Sequence, residues 1–318
     1  MSILSVEDLG ISYEIDKRDY LAVNDVNFKL NEGESMALVG ESGSGKSTIG
    51  LSLMGLLPPN GKVSSGLIRF HDREIALLKE REVRELRWKH ISMVFQGSMN
   101  ALDPILTVRN QLGEVLKFHE NKSKSEAEPI IVDMLQKVGL KPSVMNLYPH
   151  EMSGGMKQRV VIAMALLLKP ELLIADEPTT ALDVTTQAEI IIQLQQLIRE
   201  EKMSVIFITH DLSLVPQLCS KVVILYGGTT MESGAVDDVF GNPLNPYTSA
   251  LMNSVVSLEG KNTQAIPGNP PTLQTVPLGC PFNKRCAKAF SPCFESFPKE
   301  YSTSNRNVRC HLFGDGKP

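Results

Sequence analysis

Apolar and polar residues alternate along positions 3–13 and again along 21–30, with the charged stretch Asp16-Lys17-Arg18-Asp19 between them. This pattern predicts two antiparallel strands joined by a turn. Asn31-Glu32-Gly33-Glu34 reads as a turn into the apolar run 36–39, and a glycine-rich stretch at 40–48 then leads into a helical pattern at 49–54. Leu57-Pro58-Pro59-Asn60-Gly61 breaks the pattern, 66–70 reads as a strand, and 79–89 alternates in sign as a solvated helix face does. A strand at 91–95 ends at Gln96. From 97 to about 149 the patterns are helical, as at 108–118 and 126–138, with no convincing strand, which predicts an inserted helical subdomain. Continuous apolar runs return at 171–176, 204–209 and 221–226, the kind found in buried parallel strands, with a helix at 185–200 between the first two. Strand and helix thus alternate as in a doubly wound α/β sheet. A short helix at 247–256 and a Pro- and Gly-rich connector at 266–278 precede a final stretch holding four of the five cysteines.

Composition changes this picture little. A length of 318 residues suggests about two domains, and 42% hydrophobic with 21% charged residues is ordinary for a globular protein. The net charge of −4 offers no whole-chain attraction for nucleic acid or anionic lipid. No N-terminal segment reads as a secretion signal, and the longest apolar run, 160–168, is far shorter than the ~20 residues a membrane span needs. A cytosolic protein is expected, so any membrane spans would belong to other chains, and its cysteines are expected to be reduced.

The chemistry begins at Gly40-Glu41-Ser42-Gly43-Ser44-Gly45-Lys46-Ser47-Thr48. Glycines at this spacing, after a strand and before a helix, let successive N–H groups surround phosphates. Lys46 can reach the β- and γ-phosphates and the Ser47 hydroxyl can ligate Mg²⁺. Tyr13 could offer a ring for an adenine to stack on, with Tyr20 as a rival. Asp176 and Glu177 end an apolar strand, the former suited to hold Mg²⁺ and the latter to polarise an attacking water. His210 ends the next strand, where it could reach a γ-phosphate and orient Glu177 or the water. Gln96 ends another, its amide able to contact Mg²⁺ or the water. Ser153-Gly154-Gly155 opens the apolar helix through 160–168 and makes a second helix N-terminus suited to an anion. Two anion sites with one nucleotide suggest that the second grips the nucleotide of another subunit.

Taken together, these motifs resemble the ATPase subunit of an ABC transporter over nearly the whole chain. The phosphate loop, Gln96, Ser153-Gly154-Gly155, the strand carrying Asp176 and Glu177, Ala181-Leu182-Asp183 and His210 stand in family order. Met152 departs from the Leu most common before Ser-Gly-Gly. A closer resemblance is to the dipeptide/oligopeptide importer group, through Phe95-Gln96-Gly97-Ser98-Met99-Asn100-Ala101-Leu102-Asp103-Pro104, Glu177-Pro178-Thr179-Thr180-Ala181-Leu182-Asp183-Val184, Asn245-Pro246-Tyr247-Thr248 and the tail from Gly279-Cys280-Pro281-Phe282. Asn245 stands where the common form has His. The resemblance implies an α/β P-loop fold with an ABC-type nucleotide-binding domain. It divides the chain into a core at 1–96 with an antiparallel β subdomain, a helical subdomain at 97–153 ending in the signature, the rest of the core at 154–240, and a Cys-rich extension at 241–318. It implies ATP and Mg²⁺ as ligands, with Asp183 among the nucleotide contacts. The implied partners are a second ATPase subunit of the same or a sister kind, two membrane permeases and, indirectly, an extracellular solute-binding protein, at the cytoplasmic face of a membrane. Peptides are the expected solute, and oligosaccharide, nickel or glutathione the alternatives. A soluble ABC ATPase acting on DNA or ribosomes is the rival class. The gap from Lys46 to Ser153 lacks the long heptad coiled coil of the DNA-repair type, and the chain has one cassette where the translation type has two.

Cys280, Cys286, Cys293 and Cys310 are separated by five, six and sixteen residues in a tail with little apolar sequence. Four thiolates suit zinc or an iron-sulfur cluster, though the spacing matches neither tight zinc pairs nor ferredoxin runs. The resemblance favours a 4Fe-4S cluster, with zinc as the alternative and unmetallated thiols third. Cys219 is expected to be a small buried hydrophobe.

Overall fold

A computed structural model describes residues 1–180, 182–254, 265–303 and 305–314. In chain order these form β1 (Ser2–Ile15), β2 (Arg18–Asn31), β3 (Ser35–Val39), α1 (Lys46–Leu53), β4 (Gly61–Phe70), β5 (Arg73–Glu74), α2 (Glu80–Leu86) and β6 (Ile91–Val94). Next come α3 (Val108–Glu120), α4 (Lys124–Lys137), α5 (Gly154–Leu166), β7 (Leu172–Asp176), α6 (Val184–Glu201), β8 (Ser204–Thr209), α7 (Val215–Leu218), β9 (Lys221–Tyr226) and β10 (Thr229–Ala235). Last are α8 (Val236–Gly241), α9 (Pro246–Ser254), α10 (Ser291–Glu295), β11 (Glu300–Thr303) and β12 (Arg306–Arg309). They belong to two compact units, Met1–Leu77 with Phe207–Pro318, and Leu78–Ile206.

In the first unit an antiparallel sheet runs β2-β1-β4-β5. The turn between β1 and β2 is shorter than the charge pattern predicts. Only Asp16 and Lys17 lie outside the strands, both at positive φ, while Arg18 and Asp19 already pair with Ile15 and Glu14. Two residues at positive φ match the right-handed twist of the flanking strands, so no longer loop is required. A second sheet runs β11-β12-β10-β9-β3, with β3 and β9 parallel and the remainder antiparallel. The buried parallel strands are the apolar runs of the sequence: Ala37, Leu38 and Val39 are fully buried, as are Ile224 and Leu225. The tail does not build a core of its own. Its hairpin β11-β12 extends this sheet, Glu232 pairing with Val308 and Ser233 with Asn307. Buried Arg309 secures it through Thr230 O, Pro298 O and the Asp25 carboxylate, the last at 2.8 Å.

In the second unit β6 and β7 pair in parallel, and α3 and α4 pack beside α5 and α6. Buried Leu112, Val115 and Leu116 on α3, and Ile131, Met134 and Leu135 on α4, recur at three- and four-residue spacing, as an amphipathic helix requires. Arg159 ties α5 to the end of α4 through Val138 O, and to α6 through Glu189. The α9 helix is described to Ser254, and the predicted continuation to 256 lies outside the described residues. Among the described residues no helix is long and apolar enough to cross a membrane.

Candidate nucleotide site

The phosphate loop follows β3 and ends at Gly45, which caps α1 at φ 94°. A side chain there would be strained, and its Cβ would stand 3.0 Å from Ala22 O and 3.2 Å from Val23. Lys46 is the first residue of α1 and only 7% exposed. Its ammonium folds back into the loop, donating to Gly40 O at 2.8 Å, Glu41 O at 2.9 Å and Ser44 Oγ at 3.3 Å. Ser42 and Gly43 are exposed at the tip, and Ser47 and Thr48 are half-buried in the first turn of α1. Tyr13 lies against Gly61, and its hydroxyl donates to Thr48 Oγ1 at 3.4 Å. Tyr20 is its cross-strand partner. His210 is also in this unit, exposed directly after β8.

The second unit holds the other predicted residues. Asp176, 4% exposed, ends β7. Glu177 follows at φ 46°, a left-handed conformation uncommon for a residue with a side chain. Gln96 Nε2 donates to Glu177 Oε2 at 2.8 Å, and Thr180 Oγ1 donates to the same oxygen at 2.9 Å. The Gln158 amide donates to Pro178 O next door. Two donors on one carboxylate oxygen hold Glu177 in a defined orientation.

Ser153 caps α5, its hydroxyl accepting the Met156 N–H at 3.3 Å, while Gly154 is exposed and Gly155 half-buried. A Cβ on Gly155 would stand 2.7 Å from Thr186 Cγ2 of α6, so glycine there permits close approach of the two helices. Met152 is buried, as an apolar residue at that place should be. Asp183 caps α6 by accepting the Thr186 N–H at 2.9 Å, and that backbone hydrogen bond lowers its carboxyl pKa. Its carboxylate therefore serves the helix, a role the motif comparison did not anticipate. Ala181 lies outside the described residues. Asn245, at the His position of the common form, caps α9: its Oδ1 accepts the Tyr247 N–H at 2.8 Å and its amide donates to Met231 O and Arg309 O.

The metal expected at the four cysteines is not supported. Cys280, Cys286, Cys293 and Cys310 are free thiols lining one cavity of about 10 Å³, room for no more than a single water. Among the described residues no group of three or more His, Cys, Asp or Glu is arranged to hold a metal ion. Burial pushes the Cys280 thiol up to about 12 and Cys310 to about 11. The iron-sulfur and zinc expectations are therefore both set aside. Cys280, Cys293 and Cys310 are buried, as is Cys219 at the end of α7, where burial raises the thiol further.

Sequence reasoning missed two further features. Thr180 could have been suspected from its place three residues after Glu177. Arg285 carried no signal: it stands 244 residues from Glu41, with which it forms a two-pronged ion pair in the first unit.

Comparison with known proteins decides the family. The pattern described as ABC transporter matches residues 23–180, and that described as oligopeptide/dipeptide transporter, C-terminal region, matches 231–293. The oligopeptide transport ATP-binding protein OppD of Escherichia coli (strain K12) is 49% identical over 313 residues, covering 97% of this chain and 93% of the relative. The chain belongs to the ABC transporter family of ATP-binding subunits. AppD of Bacillus subtilis (strain 168), an oligopeptide transport ATP-binding protein, is 42% identical over 98% of this chain and 97% of its own. Among solved structures, the dimeric structure of MJ0796, a bacterial ABC transporter cassette, has a TM-score of 0.66 at 28% identity, covering 73% of this chain and 98% of that one. A post-hydrolysis state of the same cassette bound to ADP and Pi gives 0.65. As a member of this family the chain is an ATPase, and the predicted P-loop α/β fold with antiparallel and helical subdomains stands.

Proposed function

We propose that this ATPase powers uptake of di- or oligopeptides through membrane permeases, bound to them at the cytoplasmic face of the membrane. The observation that carries the reading is the match of residues 231–293 to the oligopeptide/dipeptide transporter C-terminal region, in a chain 49% identical to OppD of Escherichia coli over 313 residues. In this reading the loop from Gly40 to Thr48 receives the phosphates, Lys46 turning from backbone carbonyls to the nucleotide. Tyr13 rather than Tyr20 faces the adenine, because its hydroxyl is tied to Thr48 beside the loop. Ser47, Gln96 and Asp176 offer only the hard oxygen donors that Mg²⁺ prefers, and the ion would neutralise phosphate charge. Glu177 takes the proton of the attacking water, and His210 reaches the γ-phosphate and orients Glu177 or the water. Ser153, Gly154 and Gly155 grip the nucleotide of a second ATPase subunit. Closure of that pair pulls on the loop after Gln96 and passes through the helical subdomain to two permeases, to which a solute-binding protein delivers peptide.

Two experiments test this. Glu177→Gln keeps ATP affinity and lowers turnover by about 10²–10⁴, measured as phosphate release. Retained hydrolysis removes Glu177 as the base. Gentle detergent extraction from native membranes, pulling on this subunit, yields two polytopic permeases and an ATPase partner by mass spectrometry. Recovery only with ribosomal or DNA-bound proteins refutes the transport reading and leaves the ATPase chemistry intact.

A further inference from the structure

Glu41, the residue after the first glycine of the phosphate loop, has each of its polar groups engaged, the N–H and the carboxylate by residues more than 200 positions away in sequence. Its N–H donates to the Tyr247 hydroxyl at 3.2 Å, and its carbonyl accepts Lys46. Its carboxylate takes both prongs of Arg285, Nη1 to Oε2 at 2.5 Å and Nη2 to Oε1 at 3.1 Å. The Arg285 side chain is 6% exposed, and its five N–H donors are all used. Beyond Glu41 they reach the Tyr226 hydroxyl at 3.0 Å, Pro267 O at 2.8 Å and Ile266 O at 3.3 Å. Tyr247 is fully buried in α9, its ring 4.5 Å from Tyr226 and 5.2 Å from Phe282. Arg285 lies in the tail segment closed by Cys280 N–H donating to Cys293 O.

We propose that Arg285 and Tyr247 are positioning residues that let the C-terminal extension hold the phosphate loop in its nucleotide-ready shape. The physical reason lies in Lys46. To meet the phosphates its ammonium must leave Gly40 O and Glu41 O, the contacts that pin the start of the loop from inside. A loop pinned only by Lys46 would loosen as the nucleotide arrived, and ordering it again would oppose binding. The clamp on Glu41 acts from outside and does not depend on Lys46, so the loop keeps its shape through the exchange. A guanidinium fork in a desolvated pocket suits this role because two parallel charge-assisted bonds fix orientation as well as distance.

This inference rests on reading Gly40 to Thr48 as the nucleotide cradle, so the test carries a control for that reading. The full-length protein is titrated with a fluorescent non-hydrolysable ATP analogue, and kcat and KM are measured for ATP. Lys46→Ala must abolish tight analogue binding; if it does not, the cradle reading itself fails. Glu41→Gln and Tyr247→Phe, which preserve volume, each weaken the analogue and raise KM by about five- to tenfold, with kcat at saturation within about twofold. Arg285→Lys does the same, because one ammonium cannot replace the fork. Analogue affinity unchanged in Glu41→Gln and Arg285→Lys, with Lys46→Ala behaving as stated, overturns the proposal alone. So does a fall in kcat that tracks a fall in melting temperature, which would mark a merely structural tie.

Discussion

The helix starts at Lys46 and at Gly154 are the two places proposed above to receive phosphate groups, but they are held in different ways. The first is enclosed: Gly45 packs against Ala22 and Val23, Lys46 is buried, and Glu41 is gripped by Arg285 and Tyr247. The second is exposed and is ordered by its own cap, Ser153 on Met156, with Thr186 behind Gly155. A site preorganised by its own subunit can bind alone. One that relies on a local cap and lies open to solvent suits a ligand brought by a second subunit.

Three substitutions test that contrast, in falling order of effect. Lys46→Ala lowers affinity for ATP by about 100-fold, read by equilibrium binding to the isolated subunit. An equal loss from Ser153→Ala would break the comparison, because the exposed site would then be part of solitary binding. Gly155→Ala pushes a Cβ against Thr186 and costs about 1–3 kcal/mol by overpacking, measured by chemical denaturation. Thr186→Ser should restore most of it, whereas absence of rescue would move the cause elsewhere. Ser153→Ala costs about 1 kcal/mol as a lost cap and leaves ATP affinity of the isolated subunit unchanged. Turnover in the assembled transporter should fall more than that stability loss explains.

Much of this arrangement was legible in the chain because it is local. The strand, glycine loop and helix from 36 to 54, and the strand delivering Asp176 and Glu177, are each contiguous. Apolar runs such as 172–175 become fully buried parallel strands without help from distant sequence. What escaped reading depends on distant partners. Strand β10 begins Thr229-Thr230 and holds Glu232 at 0% exposure, a composition that does not announce a buried strand. Its carboxylate is satisfied by the N–H groups of Leu244 and Asn245, which only the fold brings to it. The tail was overread for a related reason. Four cysteines in a polar stretch suggest a metal when the stretch must support itself, but β12 pairs with β10, and Cys280, Cys293 and Cys310 are buried as free thiols.

The inward turn of Lys46 also bears on which ligands the loop selects. An incoming ligand competes with two carbonyls and a hydroxyl already satisfying the ammonium, so it must offer more negative charge than they do. On that argument a polyphosphate chain would draw the lysine out more readily than a nucleoside or a monophosphate. Under the proposed reading of this loop as the nucleotide cradle, the resting side-chain position would favour ligands with more phosphates, ahead of any contact with the base.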